Sequence, residues 1–141
     1  GADLVTVLGV ADAVTVAGVM QAAHAAKRPV LADLINVADI PATAALLQDA
    51  GVQYLCVHTA FDLQAHGHDP LEELRQLMPV LRTSQAAVAG GVKPATVDAI
   101  AALGLAVVVV GGGITGAGDP ADVARRMTAA MAAHDAGRNQ A

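Results

Sequence analysis

The chain reads as a parallel α/β fold, on three observations. Five short runs rich in β-branched residues alternate with five alanine-rich helical stretches. The strand-like runs are nearly continuously apolar, as strands buried on both faces are. Two glycine runs, Val88-Ala89-Gly90-Gly91-Val92 and Val107-Val108-Val109-Val110-Gly111-Gly112-Gly113-Ile114-Thr115-Gly116, each lie directly behind such a strand. Repeated βα units of this kind build either a closed barrel or an open doubly wound sheet.

The elements follow in order. Leu4–Leu8 reads as the first strand, and Asp12–Ala26 as a helix capped by Asp12. Val30–Ile35 is the second strand, and Ile40–Ala50 a helix with Pro41 in its first turn. Tyr54–His58 is the third strand, and Asp69-Pro70 supplies the cap and first-turn proline of the next helix. Ala86–Ala89 and Ala106–Val110 are the last two strands, and Lys93-Pro94 and Asp119-Pro120 mark the starts of the helices behind them. Asp49-Ala50-Gly51-Val52-Gln53 and Ala102-Leu103-Gly104-Leu105 both put a glycine at a helix end just before a strand, and Gly1-Ala2-Asp3 matches the same slot. The expectation is a (β/α)8 barrel of which this chain holds the last five βα units, three units lying on the N-terminal side. The competing expectation is a complete five-stranded open sheet. Residues 1–136 form the domain and residues 137–141 a polar tail in this reading.

Composition narrows the function. The chain is 55% hydrophobic and only 15% charged, so it can bury a core. A net charge of −5 repels a polyanion, and Tyr54 and Phe61 are the only aromatic residues, so a base-stacking nucleic-acid surface is excluded. The longest nearly uncharged apolar stretch, Ala99 to Ile114, is short for a membrane span and is broken by glycines. The lone Cys56 cannot form an internal disulfide and fits a reducing, cytoplasmic compartment, as a small core residue.

Glycine at the carboxyl end of a buried strand lets a ligand approach the backbone, and two neighbouring turns of this kind make an anion cradle. Gly90, Gly91, Gly112 and Gly113 are therefore the expected phosphate contacts, with Thr115 as a hydroxyl donor. Asp33 near the end of an apolar strand needs a partner, because an unpaired buried carboxylate is costly. His58 ends the third strand on the ligand-facing edge, where an imidazole can move a proton once a neighbour fixes its tautomer. Asp62 could orient it or bind across a subunit interface. Asn36 reads as a turn residue, and His24 and His134 as surface positions. His66-Gly67-His68 lacks the further ligands of a closed metal site and reads as a solvated loop.

The stretches Gly1-Ala2-Asp3-Leu4-Val5-Thr6-Val7-Leu8-Gly9, Asp33-Leu34-Ile35-Asn36-Val37, His58-Thr59-Ala60-Phe61-Asp62-Leu63-Gln64, Val88-Ala89-Gly90-Gly91 and Gly111-Gly112-Gly113-Ile114-Thr115-Gly116 resemble the 3-hexulose-6-phosphate synthase family. That family lies within the orotidine 5′-phosphate decarboxylase superfamily of barrels. The resemblance implies an aldolase condensing formaldehyde with ribulose 5-phosphate, a homodimer, and a catalytic set of His58, Asp33 and Asp62. It also implies a Mg2+ ion whose ligands, with an Asp-x-Lys-x-x-Asp constellation, precede the segments matched here, so this chain alone is expected to be inactive. Phe61 stands where the 3-keto-L-gulonate 6-phosphate decarboxylase branch carries arginine, and Gly113 where the synthases carry alanine and that branch arginine. The alternatives are that decarboxylase activity and a non-catalytic sugar-phosphate-binding module.

Overall fold

A computed structural model describes residues 1–60, 62 and 69–138. The strands are β1 (Val5–Leu8), β2 (Val30–Asp33), β3 (Tyr54–His58), β4 (Gln85–Ala89) and β5 (Val107–Val108). The helices are α1 (Ala13–Ala25), α2 (Ile40–Asp49), α3 (Pro70–Leu77), α4 (Val97–Ala102), α5 (Gly112–Thr115) and α6 (Pro120–Arg138), with a 3-10 turn at Met78–Val80. All four strand pairings are parallel, and the spatial order is the order in sequence, β1-β2-β3-β4-β5. A doubly wound sheet reverses its strand order at a switch point, whereas a barrel adds each new strand to the same side. The sequential order therefore makes this an arc of a barrel.

The two faces of the sheet are chemically different. Val7, Val30, Ala32, Leu55, Val57, Ala86 and Val88 point outward and pack with helix residues such as Val16, Leu47, Leu74 and Ile100 in the main core. Leu31, Cys56, Ala87 and Ala89 form a separate small cluster on the inner face, against Leu4, Tyr54 and Val107. Register explains the division: Leu8, Asp33, Cys56 and Ala87 face one another across β1 to β4, so alternate residues share the inner face.

Local chemistry sets the helix starts. The Asp12 carboxylate accepts from the Thr15 N–H at 2.8 Å, which holds the acid below its ordinary range, and Asp69 accepts from Leu71 N–H at 3.0 Å. Asp39, a cap that the sequence pattern does not mark, accepts from Ala42 N–H at 2.9 Å. Three expected element bounds are corrected, the first being the last strand, which pairs with β4 only over Val107–Val108 of the expected Ala106–Val110. The helix after β4 starts at Val97 instead of at Lys93-Pro94, because Thr96 Oγ1 accepts from Lys93 N–H and donates to Lys93 O, closing a turn before the helix. Strand β2 ends at Asp33, two residues early, because Asp33 Oδ1 accepts from Ile35 N–H and Asn36 adopts a φ of 60°. The helix at Asp119-Pro120 runs to Arg138. Among the described residues no helix is long and apolar enough to cross a membrane.

Candidate functional site

The site lies where β3, β4 and β5 end and their loops begin. Gly90 and Gly91 take φ values of 72° and 69°, a conformation that glycine adopts without a Cβ penalty, and they turn the chain back across the end of β4. The Gly111-Gly112-Gly113 turn sits beside them. Together they line a cavity of about 690 Å³ with His58, Ala89, Val92, Lys93 and Val109. Thr115, expected to help bind phosphate, does not line it, and its hydroxyl turns back to Gly111 O at 3.4 Å.

Gly113 joins the two turns. A Cβ built there would stand 2.6 Å from Val92 O and 3.1 Å from Val110 Cγ1, so the turn after β5 presses directly on the backbone after β4. Gly113→Ala is expected to force the turns to shift and cost about 1–3 kcal/mol, read as a lower urea midpoint. An unchanged midpoint would show that the turns shift freely.

The partner that Asp33 requires is His58. Asp33 Oδ2 lies 2.8 Å from His58 Nδ1, and Asp33 Oδ1 is taken by Ile35 N–H at 2.9 Å, so both carboxylate oxygens are engaged. The Asp33 and His58 side chains are 25% and 32% exposed, and His58 lines the cavity. A carboxylate at Nδ1 fixes the proton there and leaves Nε2 as the nitrogen able to accept or deliver a proton. The pairing spans 25 residues and depends on register: Asp33 lies opposite Cys56, and His58 follows two places along on the same face. Asp62 is exposed in the segment behind β3. Phe61, Gln64 and the His66-Gly67-His68 loop lie outside the described residues.

Two supports have no signal in the sequence. The fully buried Thr59 donates its N–H to Ala89 O at 3.2 Å and its hydroxyl to Glu73 Oε2 at 3.1 Å, tying the end of β3 to β4 and to α3. Lys93 joins the cavity lining from the turn before α4. Cys56 lies one pair behind His58 on the inner face, and burial first, then the Asp33 charge, push its thiol up to about 12. Alkylation of Cys56 at pH 8 is expected to run roughly 100-fold or more slower in the folded chain than in urea; equal rates would show an open inner face. The folded value lies above the ordinary one. Stability held by the neutral thiol is therefore complete below about pH 9 and lost as pH rises towards 12.

Among the described residues no three His, Cys, Asp or Glu side chains gather as a metal-holding group.

This geometry matches known proteins. A family model described as orotidine 5′-phosphate decarboxylase / HUMPS family matches residues 1–127. The 3-hexulose-6-phosphate synthase of Staphylococcus aureus (strain MSSA476) is 43% identical over 131 residues, 93% of this chain and 62% of that protein. The crystal structure of 3-hexulose-6-phosphate synthase from Salmonella typhimurium superposes with a TM-score of 0.91 at 45% identity, over 95% of this chain and 64% of that one. The crystal structure of KGPDC from Streptococcus mutans superposes at 0.78 with 22% identity, over 93% of this chain and 62% of that one, a likeness of fold alone. The chain thus spans about 62% of the length of the curated synthases it matches. With the family model covering nearly all of its length, the chain belongs to the orotidine 5′-phosphate decarboxylase / HUMPS family.

Proposed function

We propose that this chain carries the phosphate-binding and proton-transfer half of a 3-hexulose-6-phosphate synthase, an aldehyde-lyase joining formaldehyde to D-ribulose 5-phosphate. The observation that carries this reading is that His58, on the wall of the cavity that both glycine turns line, is held by Asp33 at 2.8 Å. The kinship to proteins named 3-hexulose-6-phosphate synthase selects the reaction from those this fold supports.

The chemistry is a proton exchange around one new bond. C1 of ribulose 5-phosphate gives up a proton, and its electron pair, delocalised onto the C2 carbonyl as an enediolate, attacks the formaldehyde carbon. The C–C bond forms as the C=O electrons move to the formaldehyde oxygen. That oxygen takes up one proton, so none is gained or lost overall. The product is D-arabino-hex-3-ulose 6-phosphate. The phosphate rests against Gly90, Gly91, Gly112 and Gly113, whose turns bring backbone close to it. His58 Nε2 moves a proton at the reacting end, and Asp33 holds the ring at Nδ1 and stabilises it when it is charged. Asp62 and Thr115 stay in the proposal as polar groups in the segments behind β3 and β5.

Magnesium does not fit the described residues, which gather no metal-holding group, and no step is assigned to it in this chain. Where a synthase binds it, it would stabilise the enediolate oxygens. The homodimer and a cytoplasmic location complete the proposal.

The test is formaldehyde consumption with ribulose 5-phosphate and magnesium, by this chain alone and mixed with a separately made N-terminal three-unit piece of a synthase. Activity confined to the mixture supports the reading. Turnover by the chain alone would overturn the claim that the other half is required. Silence in a mixture that has folded and associated would favour a binding module without catalysis, and release of carbon dioxide from 3-keto-L-gulonate 6-phosphate would replace the aldolase with the decarboxylase.

A further inference from the structure

We propose that Lys93 is the charge-bearing phosphate ligand of this site, a residue that determines affinity for phosphorylated over unphosphorylated sugars. The assignment rests on the sugar-phosphate reading above and adds to it a side chain that neither glycine turn can provide.

Three observations converge. The chain is acidic, at −5, so a phosphate dianion approaching the cavity meets no favourable overall field and gains from a local cation. Among the described residues lining the cavity, only His58 and Lys93 can carry positive charge, and the Asp33 carboxylate already holds His58. Lys93 is exposed and, among the described residues, enters no ion pair. None of the described carboxylates competes for its ammonium.

Within the turn after β5, the Gly113 position cannot do this job. Gly113 is pressed against Val92 O at 2.6 Å, measured from where its Cβ would stand, so a cationic side chain has no room to leave the backbone there. That same Cβ position is 3.7 Å from Lys93 Cα, which places the root of the lysine directly against the glycine turn. The Lys93 backbone is held in place: Thr96 Oγ1 accepts from its N–H at 3.2 Å and donates to its carbonyl at 3.1 Å, while Thr96 N–H donates to the same carbonyl at 3.0 Å. The stem therefore starts from a fixed point, and the flexible ammonium reaches over the cavity as a mobile point charge. The later start of α4 has a use in this light, because the turn that delays the helix is the one that anchors Lys93.

The experiment titrates the 141-residue chain with inorganic phosphate and with ribulose 5-phosphate by residue-resolved ¹H–¹⁵N NMR, for the wild type, Lys93→Met and Lys93→Arg. The expected result is a dissociation constant about tenfold weaker in Lys93→Met and near wild type in Lys93→Arg, with shifts at Gly90, Gly91, Gly112 and Gly113 in all three. Equal binding by Lys93→Met overturns the Lys93 assignment and leaves the sugar-phosphate reading standing. Weakening by Lys93→Arg as severe as by Lys93→Met overturns it too, since charge would not be what matters. A wild-type chain that shows no shifts at the glycine turns with either ligand overturns the sugar-phosphate reading itself, and Lys93 with it.

Discussion

Replacing His58 with glutamine is expected to lower turnover by roughly 10²–10⁴-fold, the usual worth of a positioned general acid–base group. The assay is formaldehyde-dependent consumption of ribulose 5-phosphate by the chain combined with the N-terminal half of a synthase. Glutamine is close in size and can still donate an amide N–H to Asp33 Oδ2, so the half-buried wall stays filled and the carboxylate keeps a partner. What disappears is the ring nitrogen that can move a proton. The loss should fall on kcat while KM changes little, because the glycine turns and Lys93 that would hold the phosphate belong to other loops of the cavity. Asp33→Asn makes the complementary test. Its amide can donate to Nδ1, which moves the ring proton to Nε2 and leaves the base wrongly protonated although every heavy atom stays in place. Turnover that survives both changes would remove the pair from the mechanism.

How much of this was written in the sequence depends on the range of each interaction. Capping aspartates such as Asp12 and Asp69 act within three residues, and the βα alternation repeats locally, so both were readable from neighbouring letters. Asp33 and His58 were each recognisable, one by its cost in an apolar strand and the other by its place at a strand end. Their mutual contact was not, because it depends on the parallel register between β2 and β3. The choice between barrel and open sheet likewise lay in strand order, which periodicity does not carry. At Lys93-Pro94 the proline signalled a helix start correctly in kind and too early in place. A threonine three residues on used its hydroxyl to close a turn first, a competition between side-chain and helical hydrogen bonds that propensity alone does not resolve. The shortness of α5, four residues long behind β5, is not legible, because a run of three glycines gives no helical period.

Gln48→Leu is expected to destabilise the chain by about 2–4 kcal/mol, although the sequence shows only a polar residue near the end of an alanine-rich helix. Gln48 is 5% exposed on α2, and all of its hydrogen-bonding capacity is used. Its Nε2 donates to Ala44 O and to Val80 O, both at 3.1 Å. Its Oε1 accepts from the N–H of Arg82 at 2.6 Å and from that of Thr83 at 3.1 Å. The segment that feeds β4 has no strand partner of its own at these amides, so one side chain does the pairing that a sheet would otherwise do. Leucine fills the volume and satisfies nothing, stranding two N–H donors and a carbonyl in a half-buried seam. The neighbouring Arg82–Asp49 pair is a poor substitute, because both side chains are more than half exposed and such pairs contribute at most about 1 kcal/mol. Arg82→Ala should therefore move the urea midpoint much less than Gln48→Leu, and the reverse ranking would show that the surface ion pair anchors the segment. Because β4 leads straight into Gly90 and Gly91, a chain weakened at Gln48 should lose phosphate affinity only as it unfolds.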